Sequence, residues 1–351
     1  MLSRPRPILL VLLLTVLAGC AADEATTGPS RLLEESSVNL ALLPGVELPL
    51  PAGNDYAWAY DIANNGDVVG GSGKSSLPWV EGYYFKAASG TAQALAIPYA
   101  PTGWIGDTYA VAVYGGTVAL NSTHGVTHVR RPYRWTSAGG YVPVVLPPSA
   151  VHGELSGIGA GGVAGGWVTR ADNVPKAFKS FLNGTYTLLN PPGADSSKVL
   201  SVASNGDMAG WAAFAGTKRA VAWIGGVFYM RFPSGVNMHE FATAINNKGE
   251  VVGVEVFAFN PIGQAFRWAP LVGKHAILTG LVGASYDISN KGRIAGGDPA
   301  GAFSWYKGVK QTLGVGFATG VNVCGDQAGY AYVGPGGLNR AMLWKNQPCD
   351  P

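Results

Sequence analysis

A ten-residue phrase recurs down this chain, and each copy is followed by a short aromatic phrase. The best copies are DIANNGDVVG (Asp61–Gly70), SVASNGDMAG (Ser201–Gly210), AINNKGEVVG (Ala244–Gly253), DISNKGRIAG (Asp287–Gly296) and GVNVCGDQAG (Gly320–Gly329). The partner phrases are RAVAW (Arg219–Trp223), QAFRW (Gln264–Trp268), GAFSW (Gly301–Trp305) and RAMLW (Arg340–Trp344). A fixed period predicts stacked copies of one small unit, because a single copy cannot bury its own faces.

One copy shows what the unit is. Phe241–Ile245 alternates and reads as a strand. Asn246-Asn247-Lys248-Gly249 is a tight turn with glycine where positive φ is needed. Val251–Val254 returns, Ala265–Trp268 makes a third strand, and His275–Leu278 a fourth. Four antiparallel strands in about 43 residues make a propeller blade.

Aligned on the tryptophan, the series is Phe85, Trp135, Ser180, Trp223, Trp268, Trp305 and Trp344, which makes seven units. Two copies, Ala112–Leu120 and Gly157–Gly165, read as one residue short at the turn. The last unit has only KNQPCDP after Trp344 and lacks a fourth strand, while Gly45–Pro51 is a strand without a unit. The expected fold is therefore all-β. It is a seven-bladed β-propeller of four-stranded antiparallel blades, closed by the N-terminal strand completing the last blade. Trp223, Trp268 and Trp305 are expected to lie buried between blades.

Composition fits. Glycine is abundant (51 residues), aromatics reach 11% and charged residues only 13%, as in many short strands joined by tight turns. The net charge of +3 falls to +1 once the first nineteen residues, with Arg4 and Arg6, are set aside, which argues against nucleic acid as a partner.

The first twenty residues read as an export signal. Arg4 and Arg6 precede an apolar run, Ile8–Leu17, too short to span a bilayer comfortably. Leu17-Ala18-Gly19-Cys20 resembles the lipobox of bacterial lipoproteins, which implies lipidation at Cys20. The expected organisation is a lipoprotein signal peptide over 1–19, the lipidated cysteine and a flexible tether over 20–37, and the propeller over 38–351. The implied location is the bacterial cell envelope, anchored by lipid, at the outer membrane in a diderm. Cys324 and Cys349 remain, and an exported protein with one such pair invites a disulfide of about 3 kcal/mol, two free thiols being the alternative.

The phrases A-x-A-I-N-x-x-G-x-V-V-G and A-F-x-W resemble the HAF-type extracellular repeats of bacteria. Here Gln264, Gly301, Lys176 or Arg340 stands where that family has histidine. The resemblance covers nearly all of residues 56–346. It implies an exported, β-propeller-like protein and no particular activity.

The chain carries no familiar catalytic motif. The Asn-x-x-Gly-Asp/Glu turns hold hard-ion ligands, but one carboxylate per turn in separate blades reads as turn geometry rather than calcium. His124 and His128 share a loop that does not read as a helix, and no metal or cofactor is expected. Connections two-to-three and four-to-one are longer than the others, so one face of the disc is expected to be variable. Trp104, Asp107, His152, Glu154, His239 and Glu240, each near the start of an inner strand, are the candidate ligand-binding residues. The expected role is a non-catalytic binding protein for a glycan, a peptide or an envelope protein. The alternative is a glycoside hydrolase or lyase with Asp107, Glu154 and Glu240 as axial carboxylates.

Overall fold

The computed structural model describes residues 44–96, 106–232, 238–257, 260–333 and 337–346. The chain folds as a seven-bladed β-propeller. Each blade is a four-stranded antiparallel sheet. The seven innermost strands are Tyr56–Ile62, Thr108–Tyr114, His152–Ile158, Ser196–Val202, Met238–Ile245, Ala284–Ile288 and Phe317–Val321. Blades are numbered one to seven in that order.

The ring closes as expected. Val46–Glu47 is the outer strand of blade seven, with Val46 opposite Leu343 and Glu47 opposite Met342. The Leu48 N–H donates to the Ala341 carbonyl at 2.8 Å, and Arg340 Nε lies 2.9 Å from Glu47. Closure thus rests on strand pairing that removes two open sheet edges. Cys324 is disulfide-bonded, and Cys349, the partner expected for it, lies outside the described residues. Residues 1–37, with the expected signal peptide and Cys20, also lie outside them.

The aromatic series takes the same place in every blade. Phe85, Trp135, Ser180, Trp223, Trp268, Trp305 and Trp344 pair with Val68, Val118, Ala164, Met208, Val251, Ile294 and Gln327 respectively. Trp223, Trp268 and Trp305 are only 7%, 6% and 6% exposed. Trp268 packs with Ala222, Ile224 and Ala242, so one cluster joins blades four and five.

The turn residues are explained by backbone needs. In blade five the Asn246 side-chain carbonyl accepts the Lys248 and Glu250 N–H groups, and Gly249 takes φ 71°. The second asparagine ties neighbouring blades: Asn247 N–H donates to Asn290 Oδ1 at 2.9 Å, and Val323 N–H to Asn64 Oδ1 at 3.2 Å. The carboxylates of these turns brace the backbone just past the third strand of their own blade. Asp67 accepts from Ala87 N, Asp207 from Gly225 N and Asp326 from Asn346 N. One expectation is corrected. Blade three has a full-length turn, because Gly159 N–H reaches Val163 O just as Ala63 N–H reaches Asp67 O. Only blade two is shortened, with Gly115 and Gly116 both at positive φ between Tyr114 and Thr117.

Each inner strand carries a β-bulge at the same level. Pairing skips Tyr60, Val111, Ser156, Leu200, Thr243, Tyr286 and Thr319 in blades one to seven. The last glycine of the ten-residue phrase lies across from the bulge. A Cβ on Gly70, Gly166, Gly210 or Gly329 would run into the backbone carbonyl of the facing strand. That close approach is why glycine recurs there.

Candidate active site in the axial channel

The inner strands enclose a channel of about 1060 Å³ along the propeller axis. All seven bulged residues line it. A bulge leaves its residue without a cross-strand partner and re-aims the side chain; repeated seven times, it makes one tier of side chains around the axis.

In blades one and six the bulge belongs to the same tripeptide, Tyr60-Asp61-Ile62 and Tyr286-Asp287-Ile288. The two copies are held alike. Thr319 in blade seven donates its hydroxyl to Ala59 O at 2.8 Å, and Thr243 in blade five donates to Ser285 O at 2.6 Å. Asp61 accepts from Ile62 N (2.8 Å) and from Val113 N of blade two (2.9 Å). Asp287 accepts from Ile288 N (2.8 Å) and from Val321 N of blade seven (2.7 Å). Gly320 lets the blade-seven strand pass between them: a Cβ there would come within 2.9 Å of Asp61 Cα.

Both carboxyls line the channel and are half-buried in its wall. Desolvation raises the pKa of Asp61. Desolvation first, and then the charge of Asp61, push Asp287 up to about 7. Backbone N–H donors oppose the shift in both without cancelling it. A carboxyl titrating near 7, as Asp287 does, is part protonated and part ionised at neutral pH.

Aromatic rings surround this pair. Trp58 lies 6.4 Å from Tyr109 between ring centroids, and Tyr56 stacks on Trp58 at 5.6 Å with 6° between planes. Burial raises the phenol of Tyr286, and burial with the neighbouring Tyr332, Tyr286 and Tyr60 phenols pushes Tyr330 up to about 12. These phenols therefore stay protonated donors over the ordinary pH range.

The candidates read from sequence separate into three groups. Asp107 and Glu154 line the channel mouth; Asp107 accepts from Val80 N at 2.9 Å, and Glu154 is ion-paired with Arg130. His152 lies in an adjoining cleft, its Nδ1 accepting from Arg130 N at 3.4 Å. His239 and Glu240 line neither space. His239 Nδ1 accepts from Lys218 N at 3.2 Å. Glu240 is 0% exposed and sits directly opposite Glu255 in the sheet, with Arg231 ion-paired to both. It is a structural charge, which corrects its assignment as an axial carboxylate. Trp104 lies outside the described residues. Sequence reasoning missed Asp61 and Asp287, although the repeated Tyr-Asp-Ile was the available signal.

No family model matches the chain, and no curated protein matches it. Solved structures do. Virginiamycin B lyase from Staphylococcus aureus is 11% identical, with TM-score 0.54, over 87% of this chain and 99% of that one. An oligogalacturonate lyase from Vibrio parahaemolyticus is 8% identical, with TM-score 0.54, over 88% and 96%. The β-propeller domain of the Trilobed protease from Pyrococcus furiosus is 9% identical, with TM-score 0.50, over 85% and 97%. At these identities the likeness establishes the fold. It also removes the ground for the non-catalytic binding role expected from the sequence, which is corrected here. That expectation rested on missing catalytic motifs, yet lyases are built on this same scaffold, and two carboxyls that no motif announces line the channel.

Proposed function

We propose that the protein is a carbohydrate-active enzyme, a glycoside lyase or hydrolase, working in the axial channel. The observation that carries this reading is the presence of two carboxyls, Asp61 and Asp287, in the channel lining beside the bulge tier, with burial and the charge of Asp61 pushing Asp287 up to about 7. A carboxyl titrating near 7 can give or take a proton at neutral pH, the requirement for general acid or base work. In both chemistries the acid protonates the leaving glycosidic oxygen. Elimination takes a ring proton onto the base and leaves a double bond in the new chain end. Hydrolysis instead adds water and leaves a saturated sugar. Trp58, Tyr109 and Tyr330 offer flat apolar faces for sugar rings, and their polar edges suit hydroxyls.

The test is a screen of polysaccharides read in two ways, by new reducing ends and by the ultraviolet absorbance of unsaturated sugars. Asp287→Asn is expected to cut turnover by about 10²–10⁴-fold with binding retained. Full turnover in the Asp61→Asn/Asp287→Asn double variant would refute the assignment.

We further read the chain as an exported, HAF-type repeat protein anchored to the cell envelope through Cys20. The support is the order Arg4, Arg6, Ile8–Leu17 and Leu17-Ala18-Gly19-Cys20, together with the repeat phrases. Incorporation of labelled fatty acid that disappears in Cys20→Ser tests it, and a soluble, unlabelled wild type would reject it.

A further inference from the structure

Blades one, six and seven contribute aromatic side chains to the channel, among them Trp58, Tyr286 and Tyr330. On the other side a second cleft, of about 300 Å³, opens beside the channel and shares His128 and Arg130 with it. Its floor is Trp167, which is 7% exposed. The Lys198 ammonium stands 3.7 Å from the centre of that ring, and the Arg130 guanidinium 5.8 Å from it.

Three features mark this cleft as a place for an anion. Lys198 is half-buried and, among the described residues, has no carboxylate within ion-pair distance, so its charge is balanced only by a ring face and by the more distant Glu154. Glu154 is already paired with Arg130. Thr169, 5% exposed, lines the cleft with a hydroxyl that has no hydrogen-bond partner. A buried hydroxyl left unpaired costs free energy that a bound acceptor recovers.

We propose that this cleft is a subsite for the negatively charged substituent of a sugar, a uronate carboxylate or a sulfate ester. Lys198 supplies the charge, Thr169 a hydrogen bond, and Trp167 the ring face behind them. The substrate class is then an anionic oligosaccharide lying from the channel mouth across blades three and four. This deepens the proposed enzymatic reading and rests on it for the word substrate, though binding is tested separately from turnover.

The experiment measures Kd on the full chain for three short oligosaccharides of equal length: an oligouronate, a sulfated neutral sugar and an unmodified neutral sugar. The wild type is compared with Lys198→Met, which keeps the apolar stem over Trp167, and with Thr169→Val. Thermal melting checks that both variants fold. An anionic probe is expected to bind at least about tenfold tighter than the neutral one, and Lys198→Met to remove most of that preference. Which anionic probe wins decides between carboxylate and sulfate. Equal binding of all three probes, or an unchanged preference in Lys198→Met, overturns the subsite. Should the preference be found while no probe is turned over, the subsite stands and the enzymatic reading falls. Should turnover be found on neutral sugars with no preference, the reverse holds.

Discussion

Asp61 and Asp287 stand on blades one and six, and the charge of Asp61 helps hold the Asp287 carboxyl near a pKa of about 7 rather than 3.8. The folded state therefore binds this proton more tightly than the unfolded chain. The stability it contributes is fully present below 3.8 and is lost as pH rises through about 7. Melting temperature in the wild type should fall across that window more steeply than in Asp287→Asn, which has no charge to develop there. Parallel curves would show that the Asp287 carboxyl is not raised in the folded protein.

Gly320→Ala tests the passage between them. Its new Cβ would lie 2.9 Å from Asp61 Cα and 3.0 Å from Ile62 N, both backbone atoms that move only with their strand. A loss of about 1–3 kcal/mol is expected in denaturant unfolding. Unchanged stability would mean that blades one and seven are not so tightly apposed.

Trp268→Ala should cost about 3–5 kcal/mol, because the ring is 6% exposed and fills the gap between two sheets. Equilibrium unfolding in urea gives the number. A loss under about 1 kcal/mol would mean the ring is not wedged there.

The buried charges of blade five make a contrast. Arg231→Met leaves Glu240 and Glu255 facing each other in a dry sheet, and should cost about 3–5 kcal/mol. Glu240→Gln leaves one intact pair, Arg231 with Glu255, and should cost far less. Comparable melting temperatures for the two variants would contradict the opposed-carboxylate geometry.

Removing residues up to Leu50 deletes Val46–Glu47 and Leu48, exposing the edge of the last sheet. Lower melting temperature and concentration-dependent aggregation are expected, by calorimetry and light scattering. A truncated chain that melts like the intact one would show that the closure contributes nothing.

The blades were legible because their signals are local and repeated. Asn246 and Gly249 serve their own turn, and Trp268 the gap beside it, so periodic sequence carries them directly. The bulge was not legible. It depends on a register shift between two strands, as Ala59 and Asp61 pairing with Gly70 and Val69, and no single residue type marks it. The site was misjudged for the same reason. Glu240 and Asp107 both precede or begin an inner strand, yet one faces Glu255 inside the sheet and the other the channel mouth. Asp61 and Asp287 looked like repeat consensus, because their meaning lies in lining one channel from blades one and six rather than in either phrase alone.

The tier of skipped residues has a consequence for how such a molecule diversifies. Tyr60, Val111, Ser156, Leu200, Thr243, Tyr286 and Thr319 answer to no partner across the strand, so their identities drift apart while the glycine opposite most of them stays put. The scaffold and the bore are thus written in separate alphabets. Randomising those seven letters would be a direct route to propellers with altered appetites.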